Sequence, residues 1–142
     1  MVMNPAGYVP LLDGGNPRIV TGKVFNTTIS GGMFVFASGA SGVVSSGADS
    51  FATTDVTVEP VASGGQFNGI ALATATSGNL VSFATRGAVI VQDNAGVTCG
   101  VKVKCDGTDS VADCGAGEGE QSIGRALTQG ASGGYVIVDI QG

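Results

Sequence analysis

Apolar residues recur along this chain in short runs separated by glycine-rich turns, at residues 19–25, 33–37, 55–61, 67–75, 80–85, 88–92, 101–105 and 135–141. Runs of this length, rich in β-branched residues and bounded by Gly, Ser and Asn, predict strands. Two of them alternate cleanly. Val101, Val103 and Cys105 share a face against Lys102 and Lys104, and Val136, Val138 and Ile140 share one against Tyr135, Ile137 and Asp139. A period of two places one such face on a core. Pro60 lacks an N–H, which assigns the 55–61 run to a sheet edge. Residues 118–129 alone offer helical spacing, a turn through Ile123 and Leu127 that Gly124 weakens. The pattern predicts an all-β protein, a small single-domain β-barrel or β-sandwich.

Two stretches fall outside this pattern. Residues 1–17 carry Pro5, Pro10 and Pro17 with Gly7, Gly14 and Gly15, a density that forbids a helix and predicts an extended N-terminal arm ahead of a domain at 18–142. The arm nevertheless holds Tyr8, Val9, Leu11 and Leu12, so it either folds back onto its own core or lies along a neighbouring protein. Residues 38–50, SGASGVVSSGADS, read as a surface loop or flexible hairpin of small residues. No repeat of fixed period suggests a solenoid or propeller.

Composition narrows the function. Six Lys+Arg against eleven Asp+Glu give a net charge of −5, which repels phosphate backbones and anionic membranes. Nucleic acid and membrane are therefore not expected as partners. Charged residues make up only 12% of the chain and mean hydropathy is +0.35, so little charge is available to cover a lone monomer, and self-association or docking on a larger body is expected. No apolar run approaches the ~20 residues that span a bilayer. The N-terminus has neither a basic nor a continuous apolar signal region, which places synthesis in the cytoplasm.

Candidate chemistry is sparse. The chain has no histidine, so His-based triads and the commonest metal ligand are excluded. Asp13, Asp49, Asp93, Asp106, Asp109 and Asp113 sit in turns, where Asp supports the backbone. Asp106, Asp109, Asp113, Glu118 and Glu120 depart from calcium-loop spacing and read as a solvated acidic loop. Ser63-Gly64-Gly65 and Ser132-Gly133-Gly134 precede neither Lys-Ser/Thr nor a helix, so they read as tight turns. No catalytic, cofactor or metal residue is assigned.

Cys99, Cys105 and Cys114 are too few for a zinc site. A two-residue turn at Asp106-Gly107 would set opposite one another residues whose numbers sum to 213, pairing Lys104 with Asp109 and Cys99 with Cys114. The alternatives are that Cys99–Cys114 bridge, with Cys105 free, or three buried thiols, as a reducing compartment favours.

Three segments, NGIALATATSGNLVSFATRGAVIVQ (68–92), AGVTCGVKVKCDGT (95–108) and IGRALTQGASGGYVIVDIQ (123–141), carry a resemblance spanning residues 21–141. With them the chain resembles the small head-decoration, or capsid-cement, proteins of tailed phages and related archaeal viruses. It departs from them in its arm and in the 38–50 loop. The resemblance implies a non-enzymatic β-domain that assembles, usually as a trimer, on the outer capsid surface and bridges major capsid protein subunits. On that reading Tyr8, Val9, Leu11 and Leu12 are capsid-contact candidates. A receptor- or glycan-binding module of a viral tail, fibre or adhesin is the alternative, and eight aromatics without Trp argue against a glycan platform.

Overall fold

The computed structural model describes residues 18–38, 56–62 and 64–141. Among these, the strands are β1 (Ile19–Val24), β2 (Thr28–Ile29), β3 (Phe34–Ala37), β4 (Thr57–Pro60), β5 (Gly69–Ala71), β6 (Ala75–Thr76), β7 (Leu80–Ala84), β8 (Arg86–Asp93), β9 (Lys102–Cys105), β10 (Ser110–Asp113), β11 (Ser122–Ala126) and β12 (Gly134–Gln141). Five close a first barrel in the order β1-β4-β3-β5-β7, and five close a second in the order β10-β8-β12-β11-β9. The remaining two, β2 and β6, pair with each other. The chain is all-β as expected, with two small barrels where one was anticipated. The arm at 1–17 and most of the 38–50 loop lie outside the described residues.

Three local expectations are corrected. Residues 118–129 form a 3₁₀ turn, Gly119–Gln121, followed by β11. Pairing to β9 on one side and β12 on the other outweighs a helical spacing of two apolar residues, and Leu127 stays exposed while Ile123 is buried. Pro60 is not on an edge, because β4 lies between β1 and β3. It is tolerated because the β1 pairing stops at Val58 and because Val61 donates to the Phe34 carbonyl (2.9 Å), so the missing N–H faces no ladder. The Asp106-Gly107 turn is longer than two residues: Val111 pairs with Cys105 and Ala112 with Lys104.

The two barrels are copies of one topology. In each, the first strand runs parallel to the third and antiparallel to the fifth, while the second pairs with the third and fourth. The registers match as well. Val58 faces Val24 and Ala37 as Val111 faces Asp93 and Cys105. Val35 faces Gly69 as Val103 faces Gly124, and Ala71 faces Phe83 as Ala126 faces Val138. Each ring then closes equivalently, Val20 on Phe83 and Val89 on Val138.

Glycines occupy matching places for matching reasons. A Cβ on Gly69 would lie 2.5 Å from the Ala84 carbonyl oxygen, and one on Gly124 would collide with that of Asp139, the counterpart of Ala84. Gly78 and Gly133 turn the chain at φ 86° and 81°, a region that favours glycine, and donate to Val24 and Asp93 carbonyls, both at 2.8 Å. The copies are offset by 69 residues in the first strand (Val24 to Asp93), 68 in the second (Ala37 to Cys105), 53 in the third (Val58 to Val111) and 55 in the last two (Gly69 to Gly124). The unequal offsets thus blur the repeat, leaving a common spacing only in the last two strands.

Each barrel has its own core, but barrel 2 borrows from barrel 1. Val24, Val35, Val58, Ala71, Val81 and Phe83 fill the first barrel. Their counterparts Val103, Val111, Ala126, Val136 and Val138 belong to a larger cluster that also contains Phe34, Val61, Ile70 and Ala84 of barrel 1. Main-chain bonds join the barrels there, from Phe34 N–H to Thr108 O (2.6 Å) and from Gly64 N–H to Cys105 O (3.0 Å). The exception in the core is Asp93, the counterpart of Val24. It is fully buried, and its carboxylate accepts the N–H groups of Ala95 (2.9 Å), Gly96 (2.8 Å) and Val97 (2.7 Å).

Candidate interaction surface

Two carboxylates of the acidic loop, Asp113 and Glu118, are engaged in structure. Asp113 accepts the Thr98 N–H (3.1 Å), and Glu118 accepts both the Gly115 N–H (2.6 Å) and Lys104 (2.8 Å). Lys104 therefore pairs with Glu118 and not with Asp109. No group of three or more metal-ligating side chains occurs among the described residues. Among them, no helix is long and apolar enough to cross a membrane.

The Lys104 bond, and then the Gly115 N–H, hold the Glu118 carboxyl below the usual carboxylate range, while the same bond raises Lys104. A depressed carboxyl stabilises the fold above its unfolded pKa and loses that contribution as pH falls through the folded one. The raised Lys104 contributes below its unfolded pKa and loses its share as pH rises through the folded one. Both side chains are partly open to solvent, so the effect is small and salt-screened. Glu118→Gln is expected to lower Tm modestly near neutral pH and not at all in strong acid. Equal losses at both pH values, measured by thermal denaturation at low salt, would contradict this.

All three cysteines are free thiols in this structure, and the register of β9 with β10 removes the geometric ground for a Cys99–Cys114 bridge. Nor are all three buried, since Cys99 is exposed and Cys114 half-buried. Burial pushes the Cys105 thiol up to about 12, and burial, followed by Glu118, raises Cys114. Alkylation near neutral pH is expected to label Cys99 first, Cys114 more slowly and Cys105 only after unfolding. Early labelling of Cys105, read by peptide mass spectrometry, would contradict the burial.

Two of the exposed surfaces among the described residues stand out as candidates for partners. Leu80 and Tyr135 are 63% and 55% exposed at equivalent positions, each just after a Ser-Gly turn, so the duplication presents the same apolar position twice. The second surface is the outer face of β9 and β11, where Lys102 lies directly across from Arg125. A cavity of ≈ 310 Å³ sits there, lined by both cations with Ser122, Gly124 and Gln141. Lys102 and Arg125 are the counterparts of Phe34 and Ile70, which are fully buried against barrel 2. Adding a third barrel by the same contact would bury two like charges side by side, which is costly even though Arg125 donates to the Gly100 carbonyl (2.6 Å). Tyr8, Val9, Leu11 and Leu12 lie outside the described residues. Sequence patterning missed the Lys102–Arg125 pair, although the alternation in 101–105 had already set Lys102 on the outer face.

The chain matches no family model and no curated protein. Among solved structures it is similar to the N base of head fiber gp8.5 in bacteriophage phi29, with a TM-score of 0.55 at 15% identity, covering 89% of this chain and 95% of that one. At that identity the likeness establishes a shared fold. It extends over nearly the whole of both chains.

Proposed function

We propose that this chain is a non-catalytic virion protein that binds the outer surface of a viral head and stabilises it by bridging major capsid protein subunits. The observation that carries the reading is the fold it shares, along almost its full length, with the base of a phage head fiber. Supporting it are an acidic net charge that repels packaged nucleic acid, and a charge content of 12% that suits protein contacts. The duplicated exposed positions Leu80 and Tyr135 suit a partner made of repeated subunits, where modest contacts add through multivalency. Self-association, most simply as a homotrimer, would multiply them further.

The neighbour's description favours one variant, in which the domain serves as the base of a head fibre. The proposal is tested by co-sedimenting the purified full chain with empty heads of its virus. Saturable binding, with a trimer by analytical ultracentrifugation free or on the shell, is expected. Failure to pellet with the heads overturns capsid binding, and a monomer in both settings overturns the trimer.

A further inference from the structure

The face by which barrel 1 docks on barrel 2 is rewritten in barrel 2 itself. In barrel 1 it includes Phe34 and Ile70, both fully buried, and Phe36 and Phe67, partly buried against the same cluster. The offsets of 68 and 55 residues carry Phe34 and Phe36 to Lys102 and Lys104, and Phe67 and Ile70 to Ser122 and Arg125. Three of the chain's six Lys and Arg residues thus stand on one face of a protein whose net charge is −5. Uncharged polar residues would suffice to stop a third barrel from adding, so this concentration of cations calls for a further reason.

Lys104 is answered within the chain by Glu118 (2.8 Å), whereas Lys102 and Arg125 meet no carboxylate within ion-pair distance among the described residues. They are exposed and lie directly across from each other on β9 and β11, an arrangement of like charges that destabilises a sheet unless an anion joins it. Asp139 stands across from Arg125 on the other side, a single carboxylate beside two cations. The guanidinium is held in place by the bond to the Gly100 carbonyl, which leaves its other N–H groups for a partner. A bulge in β11 between Ser122 and Gly124 interrupts the pairing next to the two cations, at a residue without a side chain. Resting on the proposed head binding, we infer that this face is the one seated on the head, with Lys102 and Arg125 together holding a carboxylate of an acidic segment of the major capsid protein. Nucleic acid is a poor occupant, because the remaining charge of the chain repels an extended polyanion.

The test co-sediments the full chain with empty heads of its virus across a salt series. The double variant Lys102→Ser, Arg125→Ser is compared with Arg18→Ser, Lys23→Ser, which removes the same charge from barrel 1. The first pair is expected to weaken head binding by roughly tenfold or more and to flatten its salt dependence, with self-association unchanged by analytical ultracentrifugation. The second pair is expected to bind as the wild type does. Lys102→Ala, a single change at an exposed residue, is expected to lose binding in the same direction, so the test holds even where the first pair misfolds. A wild-type chain that fails to pellet overturns head binding and this inference with it. A wild-type chain that pellets, with the Lys102 and Arg125 variants pelleting equally well, overturns this inference and leaves head binding standing. An equal loss in the barrel 1 pair would mean general charge attraction, and lost self-association in the first pair would assign the face to a second copy; either overturns it.

Discussion

Phe34→Ala is expected to destabilise the protein by about 3–5 kcal/mol and to weaken both barrels in one step. The side chain is fully buried, its ring meets Phe67 edge-on at 5.7 Å, and it lies in the cluster that forms the core of barrel 2, although its strand belongs to barrel 1. The cavity left behind therefore opens at the junction and not inside either barrel. Lys102→Ala, at the equivalent and exposed place in barrel 2, is expected to change stability by no more than about 0.5 kcal/mol. Urea unfolding followed by tyrosine fluorescence and by circular dichroism checks both. Coincident transitions at a lowered midpoint are the expected result for Phe34→Ala. Separate transitions for the two probes, or a wild-type midpoint, would contradict the shared core.

Asp93→Ala is expected to cost on the order of 4 kcal/mol, because three N–H groups that share one buried carboxylate lose their acceptor together. The duplication supplies a sharper variant. Asp93→Val recreates the residue of the equivalent position, Val24, and a purely apolar account of the core predicts that it is tolerated. The hydrogen-bond account predicts that it is nearly as damaging as alanine, because residues 95–97 depend on the carboxylate. Gly130 reinforces the point, since a Cβ there would collide with an Asp93 oxygen, whereas its counterpart Ala75 packs against the apolar core of barrel 1. Thermal denaturation decides, and a wild-type Tm for Asp93→Val would contradict the hydrogen-bond account.

Sequence patterning carried the fold class because strand periodicity is local. Val101, Val103 and Cys105 reveal their face by alternation whatever they pack against. The number of barrels was not legible, because closure depends on pairings between distant strands such as β1 with β4 and β8 with β10. The duplication was partly visible, since Gly69, Ala71, Leu72, Ser77, Gly78 and Val81 recur 55 residues later as Gly124, Ala126, Leu127, Ser132, Gly133 and Val136. Segments separated by unequal loops hide the rest. The hairpin register failed because Asp-Gly favours a tight turn only where its surroundings permit one. Here the Ser110 hydroxyl donates to the Asp106 carbonyl and the Asp106 N–H to the Ser110 carbonyl (2.8 Å), closing a longer turn and shifting Cys114 away from Cys99's expected place. Partner surfaces were least legible, since Leu80 and Tyr135 are recognisable as equivalents only once both rings are closed.

The most direct measurement is immunogold labelling of intact, purified virus particles with antibody against this chain. The proposed function predicts gold distributed over the outer surface of the head before any disruption. Label confined to the tail would contradict head binding, and label that appears only after the particles are opened would contradict an outer-surface location.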